Sequence, residues 1–358
     1  MRICDGTLRA VSRLPANEAA VDRRVEAGRA LDRLGVPLVA AGFPADGDDD
    51  LETVQRLVDD LSADVVAACR TPTDSVETAL EAEPDVVEVT VPVSDAGLGH
   101  TLGCSRDEAF DRAEAAVLRA REGGVDVHLA LEDAFQAEVP AIAGAFGRFK
   151  CPVVLADAVG ARTPPFVAGF LRTLADASAD LSRAGVRFHD DLGCATANAL
   201  VAAETGIDRV DTSVAALGPR AGTAATEEVV VATHADGTAT GVNAGETITA
   251  CKDVLRALGE STDERKAILG ECATTLEVRD GTAAAMDDPS AFEAFDPGAF
   301  GGRRRLVFDE ATGADAARRL LERGGQDPDS EMVERLLDRL AESGPLELKA
   351  AVQLAADL

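Results

Sequence analysis

The sequence contains no tryptophan, no tyrosine and few lysines. The lysines are Lys150, Lys252, Lys266 and Lys349, so arginine supplies the rest of the 35 basic residues. Against these stand 64 acidic residues, and the formal net charge at pH 7 is -29. A field of this sign repels phosphate backbones and anionic lipid surfaces, so we expect neither nucleic acid nor a membrane as a partner. An acidic chain poor in lysine that still has 46% apolar residues for a core indicates a folded protein adapted to high salt.

Disulfide and zinc motifs are also missing. The seven cysteines are odd in number, scattered along the chain and never spaced as CxxC, which predicts reduced and mostly buried side chains. No apolar run approaches the roughly 18 residues that a membrane-spanning helix needs. A strand pattern begins directly at the amino terminus, without a charged leader. These absences predict a cytoplasmic protein.

Strand and helix patterns alternate through the first two thirds of the chain. Eight strand patterns, each followed by a helical pattern, fill roughly two thirds of its length, which is the count and size of a (β/α)8 TIM barrel. They lie at 2–8, 37–41, 63–69, 85–91, 125–131, 151–156, 186–189 and 209–214. A doubly wound open sheet is the alternative, but the turn after the first strand lacks the GxGxxG pattern that this fold would favour. We therefore predict an α/β barrel over 1–237, followed over 238–358 by a linker and small helical subdomains.

Polar residues collect where the predicted strands end. In a barrel these positions meet at one mouth, so the side chains form a candidate site for an anionic substrate. Each charge taken singly is equally well explained as a solvated loop residue. The positions are Asp5, Arg9, Arg70, Glu88, Ser94, Asp95, Glu132, Asp133, Asp157, Arg187, His189, Asp191 and the loop 218–223.

Seven segments of the chain carry a family resemblance. In order they are ICDGTLR, GVPLVAAGFP, VSDAGLGHTLGCSRDEA, LALEDA, ADAVGARTP, VRFHDDLGCATANAL and LGPRAGTAATEEVV. They resemble the signature segments of the isopropylmalate, homocitrate and citramalate synthases, the acyl-CoA condensing branch of the metal-dependent TIM-barrel lyases. The resemblance implies a Claisen-type condensation of acetyl-CoA with a 2-oxo acid that is held on a divalent metal ion such as Mg2+, Mn2+ or Zn2+. It also implies a homodimer formed through the C-terminal region.

The chain departs from the family at the residues that the resemblance assigns to the metal. Of the four expected ligands only His189 remains, because Ala10, Arg187 and Thr223 stand in place of an aspartate, a histidine and an asparagine. The expected acidic residue of the second strand is Ala40, and Val11 and Ser12 replace the Gly-Glu after the arginine motif. The distant acid-base histidine is replaced by Ala311. One imidazole is too few donors for a hard dication.

The resemblance and the charge of the side chains together predict the roles of individual residues. We predict catalytic roles for Arg9, Glu132 and Asp191. Substrate binding falls to Arg70, Asp133, Asp157 and Arg187.

Three functions follow from these roles. The first is a non-catalytic relative that keeps a pocket for a small carboxylic acid, with no cofactor. The second is a metal-independent enzyme in which Arg187 replaces the metal complex, since both carry a charge of +1. The third is an active acyltransferase whose metal is held by carboxylates drawn from Glu88, Glu132, Asp133, Asp157, Asp190 and Asp191.

Overall fold

Eight parallel strands close into a barrel. The computed structural model describes residues 1–14, 19–71, 74–279 and 281–358. The strand order is sequential from β1 to β8, and β1 pairs in parallel with both β2 and β8. The predicted (β/α)8 fold is therefore confirmed. The strands are β1 (Arg2–Asp5), β2 (Leu38–Gly42), β3 (Asp64–Arg70), β4 (Val86–Pro92), β5 (Asp126–Glu132), β6 (Val153–Asp157), β7 (Ala184–Phe188) and β8 (Arg209–Thr212).

The helices of this part of the chain follow the strands in turn. Their ends carry ordinary stop and start signals: Ser105 and Glu108 form a capping box at α6, and Gly35 ends α2 in the left-handed conformation. No helix of the described ranges is long and apolar enough to cross a membrane. The helices are α1 (Thr7–Val11), α2 (Val21–Leu34), α3 (Asp48–Asp60), α4 (Asp74–Glu81), α5 (Asp95–Gly97), α6 (Arg106–Glu122), α7 (Val139–Arg148), α8 (Pro164–Asp176), α9 (Ala195–Ala203), α10 (Thr226–Ala235) and α11 (Thr247–Leu258).

The barrel interior is apolar except for a set of charged residues in the middle of three strands. Glu88 of β4 stands in register with His128 of β5, and Arg187 of β7 stands in register with Asp211 of β8. Arg209 of β8 is in register with Gly185, where a Cβ atom would lie 3.2 Å from the Arg209 side chain. The glycine therefore leaves room for a large buried guanidinium.

Contacts divide the chain into two compact units, Met1–Ser261 and Thr262–Leu358. The first unit includes α11, which lies beyond the barrel boundary that the strand pattern gave at 237. This helix joins the barrel because Arg23 Nε donates to the carbonyl oxygen of Ala257 at 2.7 Å and Arg33 pairs with Asp253 at 2.7 Å.

The second unit has its own core and contains a small sheet that the sequence reading missed. Its helices are α12 (Ala314–Arg323), α13 (Ser330–Ser343) and α14 (Leu348–Ala356), which agree with the predicted helical character. Phe308, Leu320 and Leu336 are completely buried in its core. The sheet has the order β11-β10-β9 and consists of β9 (Thr275–Glu277), β10 (Arg305–Phe308) and β11 (Leu346–Glu347). Strands of two to four residues are too short to give a readable alternation.

Candidate functional site

A cavity of about 340 Å³ opens at the carboxyl ends of the barrel strands. This volume suits a small organic acid, since ligand pockets in proteins start at about 300 Å³. Residues from the end of each of the eight strands line it, as a barrel mouth requires. The lining includes Arg9, Ala10, Arg13, Phe43, Arg70, Thr71, Thr90, Gly97, Glu132, Asp133, Ala158, Arg187, His189, Asp211, Arg220 and Thr223.

Most of the residues predicted for the site do reach this cavity. Arg9, Arg70, Glu132, Asp133, Arg187 and His189 all line it.

Two further residues were predicted to have a catalytic or substrate-binding role. These two, Asp157 and Asp191, are not among the cavity-lining residues of the described chain. Asp157 is completely buried and accepts hydrogen bonds from the backbone N–H groups of Gly160 at 3.1 Å and Arg162 at 3.2 Å. Asp191 is held by Arg220 through two hydrogen bonds of 2.7 and 2.8 Å. Both carboxylates therefore hold loops beside the cavity, and the catalytic role of Asp191 and the substrate-binding role of Asp157 stay predictions.

The two glycine-containing segments after β7 and β8 meet beside the cavity. His189 and Thr223 form an antiparallel β-bridge, and the backbone N–H of Asp190 donates to the carbonyl oxygen of Gly222 at 2.9 Å. Gly222 has a φ of +86°, and a Cβ there would collide with the carbonyl oxygen of Ala216. The glycine is thus required for the contact that places His189 and Thr223 at the same wall.

Arg187 is bound inside the barrel by carboxylates that the sequence reading did not assign to it. Its Nε donates to Asp211 Oδ2 at 2.8 Å, its Nη2 lies 2.7 Å from the same oxygen, and Nη2 also donates to Glu88. Glu132 is more distant, with its Oε1 at 3.5 Å from Arg187 Nη1. The barrel places Arg187 beside Asp211 of the neighbouring strand β8 and across from Glu88 of β4.

A second arginine, Arg209 of β8, binds the same two carboxylates. It is 2% exposed, and it donates to Asp211 Oδ1 at 2.6 Å and to Glu88 Oε2 at 2.7 Å. Arg9 Nη1 donates to Glu88 Oε1 at 2.9 Å. We call these five residues, Arg9, Glu88, Arg187, Arg209 and Asp211, the buried charge network.

The buried charge network carries three positive and two negative charges. Burial alone would raise the pKa of Glu88, but Arg187, Arg209 and Arg9 outweigh it and hold that pKa well below its usual range. Burial likewise opposes ionisation of Asp211, and Arg209 and Arg187 outweigh it, so the pKa of Asp211 is lowered. Both carboxylates are therefore ionised at neutral pH, and one unit of positive charge remains in excess at the cavity floor.

His128 lies beside the buried charge network as a neutral ring. Burial and the nearby charge of Arg209 lower its pKa from 6.5 to about 4. Arg209 Nη1 lies 2.7 Å from His128 Nδ1, and because a guanidinium only donates, Nδ1 accepts and the ring proton is on Nε2.

We expect His128 to make stability depend on pH between 6.5 and about 4. The unfolded chain takes up the proton first, so stability is lost as pH falls through this window, by about 1.4 kcal/mol per pH unit for this group. In His128→Gln, which keeps an acceptor for Arg209, this contribution should disappear. Urea unfolding at pH 7, 6 and 5 measures it, with the exposed His100→Gln as the matched control. Equal pH dependence of wild type and His128→Gln would contradict the expectation.

The residues at the family's metal position do not fit a divalent ion. Ala10 offers no donor, Arg187 brings a cation, and the hydroxyl of Thr223 is hydrogen-bonded to that of Ser213 at 2.8 Å. Only His189 could serve as a ligand. Burial, with Arg220 and Arg187 nearby, lowers its pKa to about 4, and its Nδ1 is buried and has no hydrogen-bond partner among the residues that the structure describes.

The carboxylate-only metal site considered from the sequence does not form either. Within residues 1–14, 19–71, 74–279 and 281–358, no three His, Cys, Asp or Glu side chains are grouped to hold a metal ion. Glu88 is occupied by three arginines, and Asp190 accepts from the backbone N–H of Ala195 at 2.7 Å. The strand ends thus bring carboxylates to one mouth but give each of them a different partner.

Two adjacent acidic residues remain on the cavity wall. Burial raises the pKa of Glu132, against the opposing effect of Arg187 and Arg9. Burial also raises the pKa of Asp133, and the Asp157 carboxylate adds to the rise. Asp133 accepts a hydrogen bond from Ser94 Oγ at 3.3 Å and has a left-handed backbone with φ of 60°. Such a backbone is uncommon for a residue other than glycine.

Two arginines flank one aromatic ring at the cavity rim. The Arg70 guanidinium lies 4.1 Å from the centre of the Phe43 ring and that of Arg13 lies 5.5 Å from it. Asp46 binds Arg70 through hydrogen bonds of 2.6 and 3.0 Å. Arg13 has no ion pair among the described residues, and burial and the charge of Arg70 lower its pKa. The rim therefore holds a positive charge that the described chain does not neutralise.

Sequence reasoning missed three residues of this site. Arg209 and Asp211 lie inside a predicted strand, and their charges in a buried RVDT segment were the available signal. Arg13 lies four residues after Arg9, one helical turn further on, but the sequence does not show that α1 ends there. The contacts of Arg209 with Glu88 and of Asp211 with Arg187 join different strands and form only when the barrel is folded.

Comparison with known proteins gives consistent relatives. A family model described as HMGL-like matches residues 1–254. The putative (R)-citramalate synthase of Methanopyrus kandleri is 31% identical over 352 residues, covering 96% of this chain and 69% of that protein. A homocitrate synthase of the same organism is 31% identical over 348 residues, covering 96% of this chain and 87% of that protein. The crystal structure of an HMG-CoA lyase from Bacillus subtilis matches with a TM-score of 0.66 at 20% identity, over 74% of this chain and 95% of that chain. The last likeness is one of fold.

Proposed function

The chain belongs to the HMGL-like family and is homologous to citramalate, homocitrate and isopropylmalate synthases, and on that premise we propose that it binds a small 2-oxo-acid-like carboxylic acid without a divalent metal. The proposed site is the cavity at the barrel mouth. The resemblance read from the sequence is thus confirmed at the level of the family. The proposal concerns how this member differs from its relatives.

The observation that carries the proposal is the position of Arg187. Its guanidinium stands where the resemblance places a metal-ligating histidine, and Glu88 and Asp211 fix it there. A metal ion at this place would meet a fixed positive charge and, apart from His189, no remaining ligand of the family set. An anion would meet the excess positive charge of the buried charge network instead.

Two positive regions on the cavity wall support an acid as the ligand. The first is the floor, where Arg9 and Arg187 line the cavity. The second is the rim, where Arg13, which has no ion pair among the described residues, stands beside Arg70. A carboxylate between Arg13 and Arg70 would relieve the repulsion of two like charges, and charge-assisted hydrogen bonds to guanidinium groups are among the strong ones. An acid with a carboxylate at one end and a second polar oxygen at the other matches this arrangement.

We expect 2-oxo acids to raise the melting temperature of the protein when a chelator is present. Pyruvate, 2-oxobutyrate and 2-oxoglutarate are suitable probes, and titration calorimetry of the same acids gives the affinity. Arg13→Gln should weaken binding roughly 10- to 100-fold, because it removes a charged hydrogen-bond donor. The variant should fold normally, since the Arg13 side chain is exposed and has no ion pair in the described chain.

The matched control is Arg29→Gln, which changes an exposed arginine on the outer helix α2. It should leave the affinity unchanged. Absence of binding by any of these acids would overturn the proposal, and so would binding that requires added metal and disappears with the chelator.

A further inference from the structure

The cavity contains an unusual concentration of buried polar atoms that lack a partner. Thr71 Oγ1, Asp133 Oδ1 and His189 Nδ1 are buried, have no hydrogen-bond partner in the described chain, and belong to residues that line the cavity. Buried polar groups in proteins are nearly always hydrogen-bonded, and each exception needs an explanation. These three point to a bound molecule that supplies the missing hydrogen bonds.

Asp133 is the most constrained of the three. Its φ of 60° places a residue with a Cβ atom in the left-handed region, directly after the last residue of β5. Such a conformation is unfavourable for most residues, is tolerated best by glycine, asparagine and aspartate, and persists when the surrounding structure fixes it. Its Oδ2 accepts a hydrogen bond from Ser94 at 3.3 Å, while the backbone N–H of Ala158 lies near the carboxylate and Oδ1 has no well-formed hydrogen bond within the described residues. One carboxylate oxygen of Asp133 is thus held at the cavity wall, where it can accept a hydrogen bond or a proton from a bound molecule.

Two guanidinium nitrogens at the cavity floor make only long contacts with carboxylates of the described residues. Arg9 Nη2 has its nearest carboxylate oxygen, Asp211 Oδ2, at 3.6 Å, which is beyond hydrogen-bond distance. Arg187 Nη1 has Glu132 Oε1 at 3.5 Å, at the outer limit. Both residues line the same cavity as Asp133. The cavity therefore combines a carboxylate base with donors for a developing negative charge, which is the arrangement used to remove a proton beside a carbonyl group.

We infer that the protein enolises the 2-oxo acid it binds, with Asp133 as the base and with Arg9 and Arg187 holding the enolate oxygen. The inference rests on the proposed binding function and extends it to a reaction. The C3–H bond breaks and its proton goes to a carboxylate oxygen of Asp133. The electron pair of that bond forms the C2–C3 double bond, and the carbonyl electron pair moves onto oxygen. Return of a proton from Asp133, after exchange with water, restores the keto acid, so no oxidant, reductant or second substrate is consumed.

Asp133 is a better candidate base than its neighbour Glu132. Glu132 lies 3.5 Å from the Arg187 guanidinium, and a nearby cation weakens a carboxylate as a base. Burial raises the pKa of both carboxyl groups, but Asp133 is hydrogen-bonded to the neutral hydroxyl of Ser94 rather than paired with an arginine of the cavity floor. A higher pKa makes a carboxylate a stronger base.

The test is hydrogen exchange at C3 of the acid, followed by proton NMR in D2O with a chelator present. Wild type should accelerate the loss of the methyl signal of pyruvate or the methylene signal of 2-oxobutyrate above the rate in buffer. Asp133→Asn should lower the enzymatic rate at least ~100-fold, the usual contribution of a positioned base. It should keep the thermal shift given by the same acid. Asparagine tolerates the left-handed backbone, so the fold should be kept.

The matched control is Asp22→Asn, an exposed aspartate on the outer helix α2, which should not change the exchange rate. If Asp133→Asn fails to fold, Asp133→Gly replaces it, because glycine suits a positive φ. Binding of the acid without exchange above the buffer rate would overturn the enolisation and leave the binding proposal standing. Exchange that persists in Asp133→Asn at the wild-type rate would overturn the role of Asp133. Failure of every acid to bind would overturn the proposed function itself.

Discussion

Replacing Arg209 with methionine is expected to lower the free energy of unfolding by about 3–5 kcal/mol, the cost of removing one partner from a buried ion pair. Arg209 is 2% exposed and neutralises both Glu88 and Asp211, which are themselves almost fully buried. Without it, two carboxylates are left with only part of their compensating charge, and His128 loses its donor. Urea unfolding with a fixed salt concentration gives the change from the midpoint and the slope.

A second variant separates lost charge balance from lost packing. Adding Asp211→Asn to Arg209→Met removes one of the uncompensated carboxylates, so the double variant should recover part of the stability. The control is Arg119→Met, which breaks an exposed pair with Glu77 and should have little effect. A loss below about 1 kcal/mol for Arg209→Met would show that the buried charge network contributes little to folding.

Restoring the family's metal ligands is expected to give the variant tighter metal binding than the wild type. The variant carries Ala10→Asp, Arg187→His and Thr223→Asn together, which with His189 gives four oxygen and nitrogen donors on one wall of the cavity. The variant loses the positive charge of Arg187 and gains one carboxylate, so the site changes from one unit of excess positive charge to one unit of excess negative charge, and the ion should also stabilise the fold. At a metal concentration of 100 times the dissociation constant the expected stabilisation is about 2.7 kcal/mol. Melting curves with Mn2+ or Zn2+, and metal analysis after gel filtration, measure the effect.

The single variant Ala10→Asp is the matched control for this experiment. It adds a carboxylate but keeps the Arg187 cation at the site, so it should bind no metal. Metal binding by the wild type as tight as by the triple variant would contradict the expectation. Failure of the triple variant to bind would place the obstacle elsewhere in the buried charge network, with Arg209 as the first residue to examine.

The buried charge network changes how the loss of the metal ligands is understood. A count of charges at the ligand positions alone makes Arg187 a simple replacement for the metal complex. In the folded protein most of the Arg187 hydrogen bonds go to Glu88 and Asp211, and Arg9 and Arg209 share the same two carboxylates. The positive charge offered to a ligand therefore belongs to the whole network rather than to one residue.

The sequence was a good guide wherever a property is local or periodic. The alternation of apolar strands and amphipathic helices predicted the barrel, because a parallel strand buried on both faces must be followed by a helix. The ends of the predicted strands indicated which residues lie at the mouth of the barrel. The cavity there is lined by Arg9, Glu132, Asp133, Arg187 and His189. The sheet of the second unit was missed because its strands have at most four residues.

By itself, then, the sequence determined the barrel, the family, the position of the candidate site, and the presence of Ala10, Arg187 and Thr223 where the family resemblance expects metal ligands. Only the tertiary structure decided which charges meet. Arg187 and Glu88 are 99 residues apart and Arg209 and Glu88 are 121 apart, so their pairing depends on the closure of eight strands and on the room left by Gly185. Strand register and loop geometry, which no single residue type specifies, place one oxygen of Asp133 and one nitrogen of His189 at the cavity wall, where neither has a well-formed hydrogen bond within the described part of the chain.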